Sequence, residues 1–124
     1  MADTLRVKMR IGTDILSLKR IKTVFDRFKE KLVYKILSET EIKIYNSIQN
    51  ERRRLEFLGG RFCGKEAIFK ATSADQNLTW KRISIIRNAS DKPVVLIDGK
   101  EQENIKISIS HEEEFATATV IAIE

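Results

Sequence analysis

The sequence has only one cysteine, Cys63, and one histidine, His111, among its 124 residues. A single cysteine excludes an intrachain disulfide and a cysteine-rich zinc site, so the chain suits a reducing compartment such as the cytoplasm. The longest uncharged run near the C-terminus, FATATVIAI, is far shorter than the roughly 20 residues that span a bilayer. The N-terminal MADTLRVKMR lacks the apolar region of a signal peptide. We therefore expect a soluble cytoplasmic protein with no membrane partner.

Stretches rich in glycine, proline or serine are missing as well, and so are internal repeats. A linker is not expected, and 124 residues with 42% hydrophobic content suffice for one core, so we expect one domain over residues 1–124. Positive charge is in excess, with 23 basic against 18 acidic side chains. This favours a partner with negative charge: nucleic acid, an anionic membrane surface, a phosphorylated small molecule or an acidic protein.

The order of helix and strand patterns predicts an α+β fold. RVKMRIGTDI alternates apolar and basic residues, which predicts a strand ending at Gly12 with Asp14 just beyond it. Three helices are expected next, the first capped by Ser17, the second opened by the capping box SETE and the third capped by Asn50. After Ala71 the period changes from 3.6 to 2, and LTWKRISIIRN, PVVLID, NIKISIS and EFATATVIAI predict four strands. This order indicates helices packed on a mainly antiparallel sheet.

The last predicted strand carries small residues on one face, at Ala116, Ala118 and Ala122. Such a face allows close approach of another sheet, another subunit or a helix of the same chain. The pattern requires that something cover this face, and it does not choose among the three.

The third predicted helix places an acid beside its buried stripe. At 100° per residue, the apolar side chains of Leu55, Leu58, Phe62 and Phe69 fall within one narrow arc, and Glu66 lies at its edge. A buried acid needs a partner. The neighbours of Glu66 around the helix are Gly59, Cys63 and Lys70.

Asp14, Glu66, Lys70 and His111 together suggest a site for a metal and phosphate. Two carboxylates fit Mg²⁺, which prefers oxygen ligands and completes its coordination with water and substrate phosphates. Lys70 and His111 would then hold phosphate oxygens. A structural interpretation stays open, because Glu66 and Lys70 are also an ordinary i, i+4 pair and Asp14 can satisfy backbone N–H groups in a turn. Cys63 is expected to be a packing residue, not a nucleophile.

Three segments resemble the signatures of the holo-acyl-carrier-protein synthases. IGTDILSLKRI is similar to that family's Gly-x-Asp-Ile strand and the helix after it. FLGGRFCGKEAIFKA resembles the central Phe-Leu-x-x-Arg-Phe-x-x-Lys-Glu-Ala-x-x-Lys-Ala helix, and SISHEEEFATATVIA resembles the Ser-x-Ser/Thr-His segment with its alanine-rich strand. The segments occur in the family's order and cover nearly the whole chain.

The resemblance implies a 4'-phosphopantetheinyl transferase, which moves phosphopantetheine from coenzyme A to a serine of an apo acyl carrier protein and releases 3',5'-ADP. It implies that Asp14 and Glu66 bind Mg²⁺ together with coenzyme A phosphate oxygens. The metal would align the pyrophosphate and stabilise its developing charge. Glu66, or a water on the metal, would take the serine proton.

The resemblance also implies where the phosphates of coenzyme A are held. Lys65 and Lys70 would offset the charge of the pyrophosphate, with Lys70 part of the catalytic set, while Arg61 and His111 would hold the coenzyme A phosphates.

A homotrimer with active sites between subunits is a further implication of the resemblance. His111 would then come from the neighbour of the subunit that supplies Asp14 and Glu66. Carrier proteins are acidic, so Arg20, with Lys19 and Arg27 around it on the first helix, would form the docking surface.

Two departures from the family pattern bear on the site. The usual Gly-Thr-Gly type loop after the central helix is replaced by Thr72, Ser73, Ala74 and Asp75. Gly64 stands where alanine is usual, although glycine inside a helix costs about 1 kcal/mol relative to alanine.

Three alternatives to a fatty-acid enzyme stay open. One is a related transferase that modifies polyketide or peptide synthase carrier domains. Another is a degenerate homologue that serves only in protein interactions. The third is a small basic module that binds RNA, against which the aromatic residues do not predict an exposed stacking platform on adjacent strands. We therefore expect no nucleic-acid partner.

Overall fold

Four helices lie between a first strand and five later ones in the computed structural model, which describes residues 7–72 and 77–124. No helix in these two ranges is long and apolar enough to cross a bilayer. The elements in chain order are β1 (Met9–Ser17), α1 (Leu18–Phe28), α2 (Glu30–Ile36), α3 (Glu39–Ser47), α4 (Glu51–Ala71), a short 3-10 helix (Trp80–Arg82), β2 (Ile83–Arg87), β3 (Pro93–Ile97), β4 (Lys100–Glu101), β5 (Ile105–His111) and β6 (Phe115–Ile123).

The strands form two antiparallel sheets instead of one. The first has the order β1-β6-β5 and the second the order β2-β3-β4. The predicted α+β class, with helices on antiparallel strands, is confirmed.

Helix α4 packs directly on β1 and β6, and small residues make this close approach possible. A Cβ atom at Gly12 would lie 2.0 Å from the Ala67 carbonyl oxygen of the helix. Ala116, Ala118 and Ala122 of β6 are buried, and Cys63 Sγ on α4 donates to the Ala116 carbonyl at 3.6 Å. The alanine face of the last strand is therefore covered by a helix of the same chain.

Several elements differ from the sequence predictions. The strand predicted over LTWKRISIIRN begins only at Ile83, since Trp80–Arg82 forms the 3-10 helix, and the short β4 was not predicted. β1 does not end at Gly12 but continues to Ser17, because β6 pairs with it as far as Ser17 and Phe115. Asp14 consequently lies inside a strand. Helix α2 was not predicted, and Lys29 separates it from α1 with a φ of 52°.

The other face of the first sheet is open to solvent and carries large apolar side chains among polar ones such as Thr13 and Ser108. The exposed fractions of Met9, Ile11 and Ile15 on β1 are 57%, 67% and 65%, and Phe115 and Ile123 on β6 are also exposed. These residues are called here the outer apolar face. Several large apolar side chains exposed on one face mark a site of interaction.

Candidate active site

Asp14, Glu66 and Lys70 meet where β1 passes over the C-terminal half of α4. Asp14 pairs with the buried Ala118 in the sheet register, so its carboxylate lies on the face towards α4. Lys70 Nζ donates to Asp14 Oδ1 at 3.3 Å and to the Thr13 carbonyl at 3.0 Å. The Asp14 side chain is 19% exposed and that of Lys70 is 53% exposed, so the cluster opens to solvent.

The carboxylate of Glu66 is held in an unfavourable charge environment. Its pKa is raised, mainly by burial and secondly by the negative charge of Asp14, while Lys70 lowers it. One partly exposed lysine thus faces two carboxylates. Such a cluster favours the binding of a further cation.

The donor set at this cluster fits Mg²⁺. Among the residues that the structure describes, no group of three or more His, Cys, Asp and Glu side chains could hold a metal. A set of two carboxylates is what Mg²⁺ commonly uses, since it keeps several waters and takes its remaining ligands from substrate phosphates. Asp14 and Glu66 would be the residues that hold it.

Cys63 lies beneath this cluster as a packing residue. Its side chain is fully buried, and its pKa is raised to about 12, mainly by burial and then by Asp14. A thiol with so high a pKa is not a nucleophile at neutral pH, in agreement with the sequence prediction.

A separate basic cleft of about 850 Å³ lies between α3, α4, β2 and β5. Its charged lining residues are mostly cationic or potentially so: Arg53, Arg61, Arg87 and His111, with Glu56 as the acid. The positive charge suits a phosphate-bearing ligand.

The guanidinium of Arg61 is fixed at the wall of this cleft. Its Nε and Nη2 donate to the Ile85 carbonyl at 3.1 and 3.0 Å, and its Cζ lies 4.1 Å from the Phe57 ring centroid. Burial, as the largest cause, lowers the Arg61 pKa to about 10. A guanidinium has five N–H donors, so others remain for a ligand.

His111 lines the cleft, and the structure does not bring it to the carboxylates of Asp14 and Glu66. Its Nδ1 is 3.6 Å from Glu56 Oε2, and Glu56 precedes Glu66 by ten residues on α4, a rise of about 15 Å. Asp14, Glu66 and Lys70 do not line the cleft. Within one chain the predicted residues therefore form two groups, the carboxylate cluster and the basic cleft.

The predicted role of Lys65 at the pyrophosphate is wrong for this structure. The Lys65 side chain is fully buried, and its Nζ donates to Glu41 Oε1 at 2.6 Å, the Ile36 carbonyl at 2.7 Å and the Trp80 carbonyl at 3.0 Å. These contacts use all three donors of the ammonium group. It has none left for a phosphate.

The predicted docking residues lie on an exposed face of α1. Lys19, Arg20 and Arg27 are exposed, and the Arg27 guanidinium lies 5.2 Å from the ring centroid of Phe28, which is 46% exposed. The face thus combines positive charge with an apolar side chain.

Sequence reasoning did not assign Arg53 and Arg87 to the site, although both line the cleft. Arg53 belongs to the run RRR at the start of α4. Cations there oppose the helix dipole, and this unfavourable position was the sequence feature that could have indicated a binding role. No comparable signal marks Arg87 at the end of β2.

One departure from the family pattern has a packing explanation. A Cβ atom at Gly64 would lie 2.7 Å from Ile85 Cδ1, so glycine makes room for this isoleucine. The altered loop after α4, Ser73 to Asp75, lies outside the described residues.

Phe62 and Phe69 of α4 pack against Trp80 of the 3-10 helix instead of forming an open platform. The Phe62 and Trp80 rings stack with centroids 5.1 Å apart, and Phe69 meets Trp80 edge-on at 5.2 Å. This arrangement gives no support to RNA binding by base stacking.

The sequence model of the 4'-phosphopantetheinyl transferase superfamily matches residues 10–120. The chain belongs to this superfamily. It is 36% identical over 113 residues to the holo-[acyl-carrier-protein] synthase of Staphylococcus haemolyticus, covering 90% of this chain and 92% of the relative. It is 42% identical over 111 residues to the synthase of Mycoplasma capricolum, covering 90% and 91% of the two chains.

Solved structures of the same superfamily share the fold. The holo-(acyl-carrier-protein) synthase of Bacillus anthracis, in complex with CoA (3',5'-ADP), has a TM-score of 0.77 and 33% identity, covering 94% of this chain and 99% of that one. The synthase of Helicobacter pylori in complex with coenzyme A has a TM-score of 0.71 and 26% identity, covering 92% and 99%. The family resemblance predicted from the three segments is confirmed.

Proposed function

We propose that this chain transfers 4'-phosphopantetheine from coenzyme A to a serine of an apo acyl carrier protein, with Mg²⁺, in fatty acid biosynthesis. The observation that carries the proposal is the carboxylate pair of Asp14 and Glu66, which is partly open to solvent and faces Lys70. Similarity to holo-[acyl-carrier-protein] synthases over 90% of the chain supports the same activity. We place it in the cytoplasm, on the basis of the single cysteine.

The proposed reaction is a displacement at phosphorus. The serine oxygen of the carrier attacks the β-phosphorus of coenzyme A, the bond from this phosphorus to the bridging oxygen breaks, and 3',5'-ADP leaves. Glu66 accepts the serine proton as the general base. Lys70 offsets negative charge on the phosphates. Mg²⁺ held by Asp14 and Glu66 would supply alignment and charge stabilisation of the pyrophosphate.

The basic cleft is proposed to hold the nucleotide end of coenzyme A. Arg61 and His111 line it, and together with Arg53 and Arg87 they supply a positive field for the phosphates. The relatives from B. anthracis and H. pylori were crystallised with coenzyme A or its 3',5'-ADP portion, which agrees with a nucleotide site in this fold.

A homotrimer is proposed to complete the site. The carboxylate cluster and His111 lie apart within one chain, and a neighbouring copy could place its own cleft beside the cluster. The outer apolar face, with Ile11 and Ile15 about two-thirds exposed, is a surface that association would bury. Light scattering coupled to size exclusion should give three times the monomer mass, and a monomer at micromolar concentration would refute the trimer.

The exposed basic face of α1 is proposed to dock the acidic carrier protein. Lys19, Arg20 and Arg27 supply the charge. Complementary charge of this kind speeds encounter and makes it sensitive to salt.

The test is mass spectrometry of an apo acyl carrier protein incubated with this protein, coenzyme A and Mg²⁺. We expect a mass gain of about 340 Da, one phosphopantetheine, that is lost with EDTA and in the Asp14→Ala and Glu66→Ala variants. No gain on fatty-acid, polyketide or peptide-synthase carriers from folded wild-type protein would refute the transferase. A gain only on polyketide or peptide-synthase carriers would assign the related activity instead.

A further inference from the structure

Glu41 and Lys65 form a buried ion pair at the centre of a network of hydrogen bonds. Both side chains are fully buried, with Lys65 Nζ 2.6 Å from Glu41 Oε1. Glu41 Oε1 also accepts the Ser38 N–H at 2.9 Å, and Glu41 Oε2 accepts the Ile85 N–H at 2.8 Å. Lys65 donates further to the carbonyls of Ile36 and Trp80. The pair thus joins α2, α3, α4, the 3-10 helix and β2.

Ile85 connects this pair to the basic cleft. It lies on β2, which is an edge strand in the order β2-β3-β4. In an antiparallel ladder, alternate residues turn their N–H and C=O groups away from the partner strand. The Ile85 N–H bonds to Glu41 and its C=O accepts both bonds from Arg61, so two side chains take the place of a neighbouring strand.

Ile85 also fixes the position of the Arg61 guanidinium, which lines the cleft. Arg61 lies one helical turn before Lys65 on α4. Through the contacts described above, Arg61 bonds to β2, and Lys65 bonds to the 3-10 helix that leads into β2. If the Ile85 backbone moves, the acceptor that orients the guanidinium moves with it. Glu41 and Lys65 do not line the cleft themselves, so any effect on a ligand there passes through Ile85 and Arg61.

We propose that Glu41 and Lys65 are positioning residues for coenzyme A: they fix the backbone of Ile85, which holds the Arg61 guanidinium against the phosphates of the ligand. The inference rests on the proposed function, because it names coenzyme A as the ligand of the cleft. A merely structural pair could be replaced by apolar residues of similar size with little loss. An apolar side chain at position 41 cannot accept the Ile85 N–H, and this difference makes the proposal testable.

The experiment compares Glu41→Met, Lys65→Met and the double variant with wild type, because methionine at position 41 has no oxygen to accept the Ile85 N–H. The double variant removes both charges, so its stability should lie above that of the single variants. Asp98→Asn is the matched control, because it removes the charge of an exposed acid that pairs with Arg82 at the surface, at 2.8 Å. Calorimetry gives the Kd of 3',5'-ADP and of coenzyme A, at a temperature where circular dichroism shows each protein folded. Hydrogen exchange by NMR gives the opening rate of the Ile85 amide.

We expect the Kd of both nucleotides to rise about tenfold in Glu41→Met and in the double variant, with no change in Asp98→Asn. KM for coenzyme A should rise while KM for the carrier protein stays within twofold, and the Ile85 amide should exchange faster. A Kd within twofold of wild type in the folded double variant would overturn the proposal. If wild type binds neither nucleotide, the proposed function fails, and the exchange rate of Ile85 still decides whether the pair holds β2.

Discussion

Two lysines of α4 each pair with an acid from another element, and the two ion pairs differ in how completely protein groups satisfy their charges and hydrogen bonds. Glu41 and Lys65 are fully buried, with the Lys65 ammonium 2.6 Å from the Glu41 carboxylate. Each side chain also makes hydrogen bonds to backbone groups of the protein. Asp14 and Lys70 meet at 3.3 Å with the lysine half exposed, and a second acid, Glu66, lies beside them. The adjacent residues Lys65 and Glu66 therefore belong to different pairs with different environments.

The difference separates groups that build the fold from groups left available to a ligand. A buried charge is tolerated only when paired and hydrogen-bonded, and the Glu41–Lys65 pair meets this condition without a ligand. The Asp14–Glu66 cluster is partly solvated instead, and its two carboxylates share Lys70. Binding of a cation and a phosphate there would complete what the protein leaves incomplete.

The largest expected effect is on catalysis, at the incomplete cluster. Glu66→Gln should lower the rate of phosphopantetheine transfer by about a thousandfold, because it removes a metal ligand and the proposed base. The folded structure should persist. Steady-state rates with an apo carrier protein and circular dichroism would check this, with Asp98→Asn as the active control. A rate within tenfold of wild type would remove Glu66 from the catalytic set.

The next effect is on stability, at the complete pair. Lys65→Met should lower the free energy of unfolding by about 3–5 kcal/mol, because it leaves the buried Glu41 carboxylate without its counter-ion. Lys70→Met removes the matching lysine of the open cluster, which is 53% exposed, and should cost less than about 1 kcal/mol. Urea denaturation of both variants measures the difference. Equal losses would mean that the two pairs do not differ as their burial indicates.

Sequence patterns located the open cluster better than the buried pair, and the reason is physical. Glu66 stood out because an acid at the edge of an apolar stripe is unusual, and its spacing to Lys70 is local to one helix. Lys65 differs from Glu66 by one position, or 100° around the helix, and its partner Glu41 is 24 residues away. The capping box SETE accounted for Glu41 fully, and it is present in the structure. Nothing local shows that the same carboxylate has a second role.

Elements set by local chemistry were predicted, and elements set by tertiary contacts were not. The caps Ser17 and Asn50 and the long helix after Asn50 occur as expected. The extension of β1 to Ser17 depends on its pairing with β6, and the division of the strands into two sheets depends on packing across the whole chain. The cleft follows from that division, so Arg87 could not be assigned to it from the sequence.

An intermediate effect is expected where β1 meets α4, since this contact brings Asp14 to Lys70. Gly12→Ala should lower the free energy of unfolding by about 2 kcal/mol, because the added Cβ would lie 2.0 Å from the Ala67 carbonyl oxygen and the strand must move. Gly60→Ala on α4 is the matched control. Its Cβ would meet only Ile109 Cγ2 at 3.4 Å, and alanine favours the helix by about 1 kcal/mol. Thermal denaturation of both variants tests the contact, and a stable Gly12→Ala protein would show that it is not tight.

The smallest effect is on the pH dependence of stability, and it comes from the same carboxylate that has the largest effect on catalysis. The pKa of Glu66 is raised in the folded protein by burial and by Asp14, so the folded state binds this proton more tightly than the unfolded chain. Its favourable contribution is present below the ordinary pKa of 4.5 and is lost as pH rises through the folded value. Metal-free Glu66→Gln should therefore be more stable than wild type at pH 7, by less than about 1 kcal/mol, and this advantage should vanish near pH 4.

Adding Mg²⁺ at pH 7 should reverse the order, because only wild type keeps both carboxylates. Melting curves at the two pH values, with Mg²⁺ and with EDTA, measure all of these differences. A Glu66→Gln protein less stable than wild type in EDTA at pH 7 would mean that the carboxylate is satisfied without a ligand, and the contrast between the two pairs would be lost.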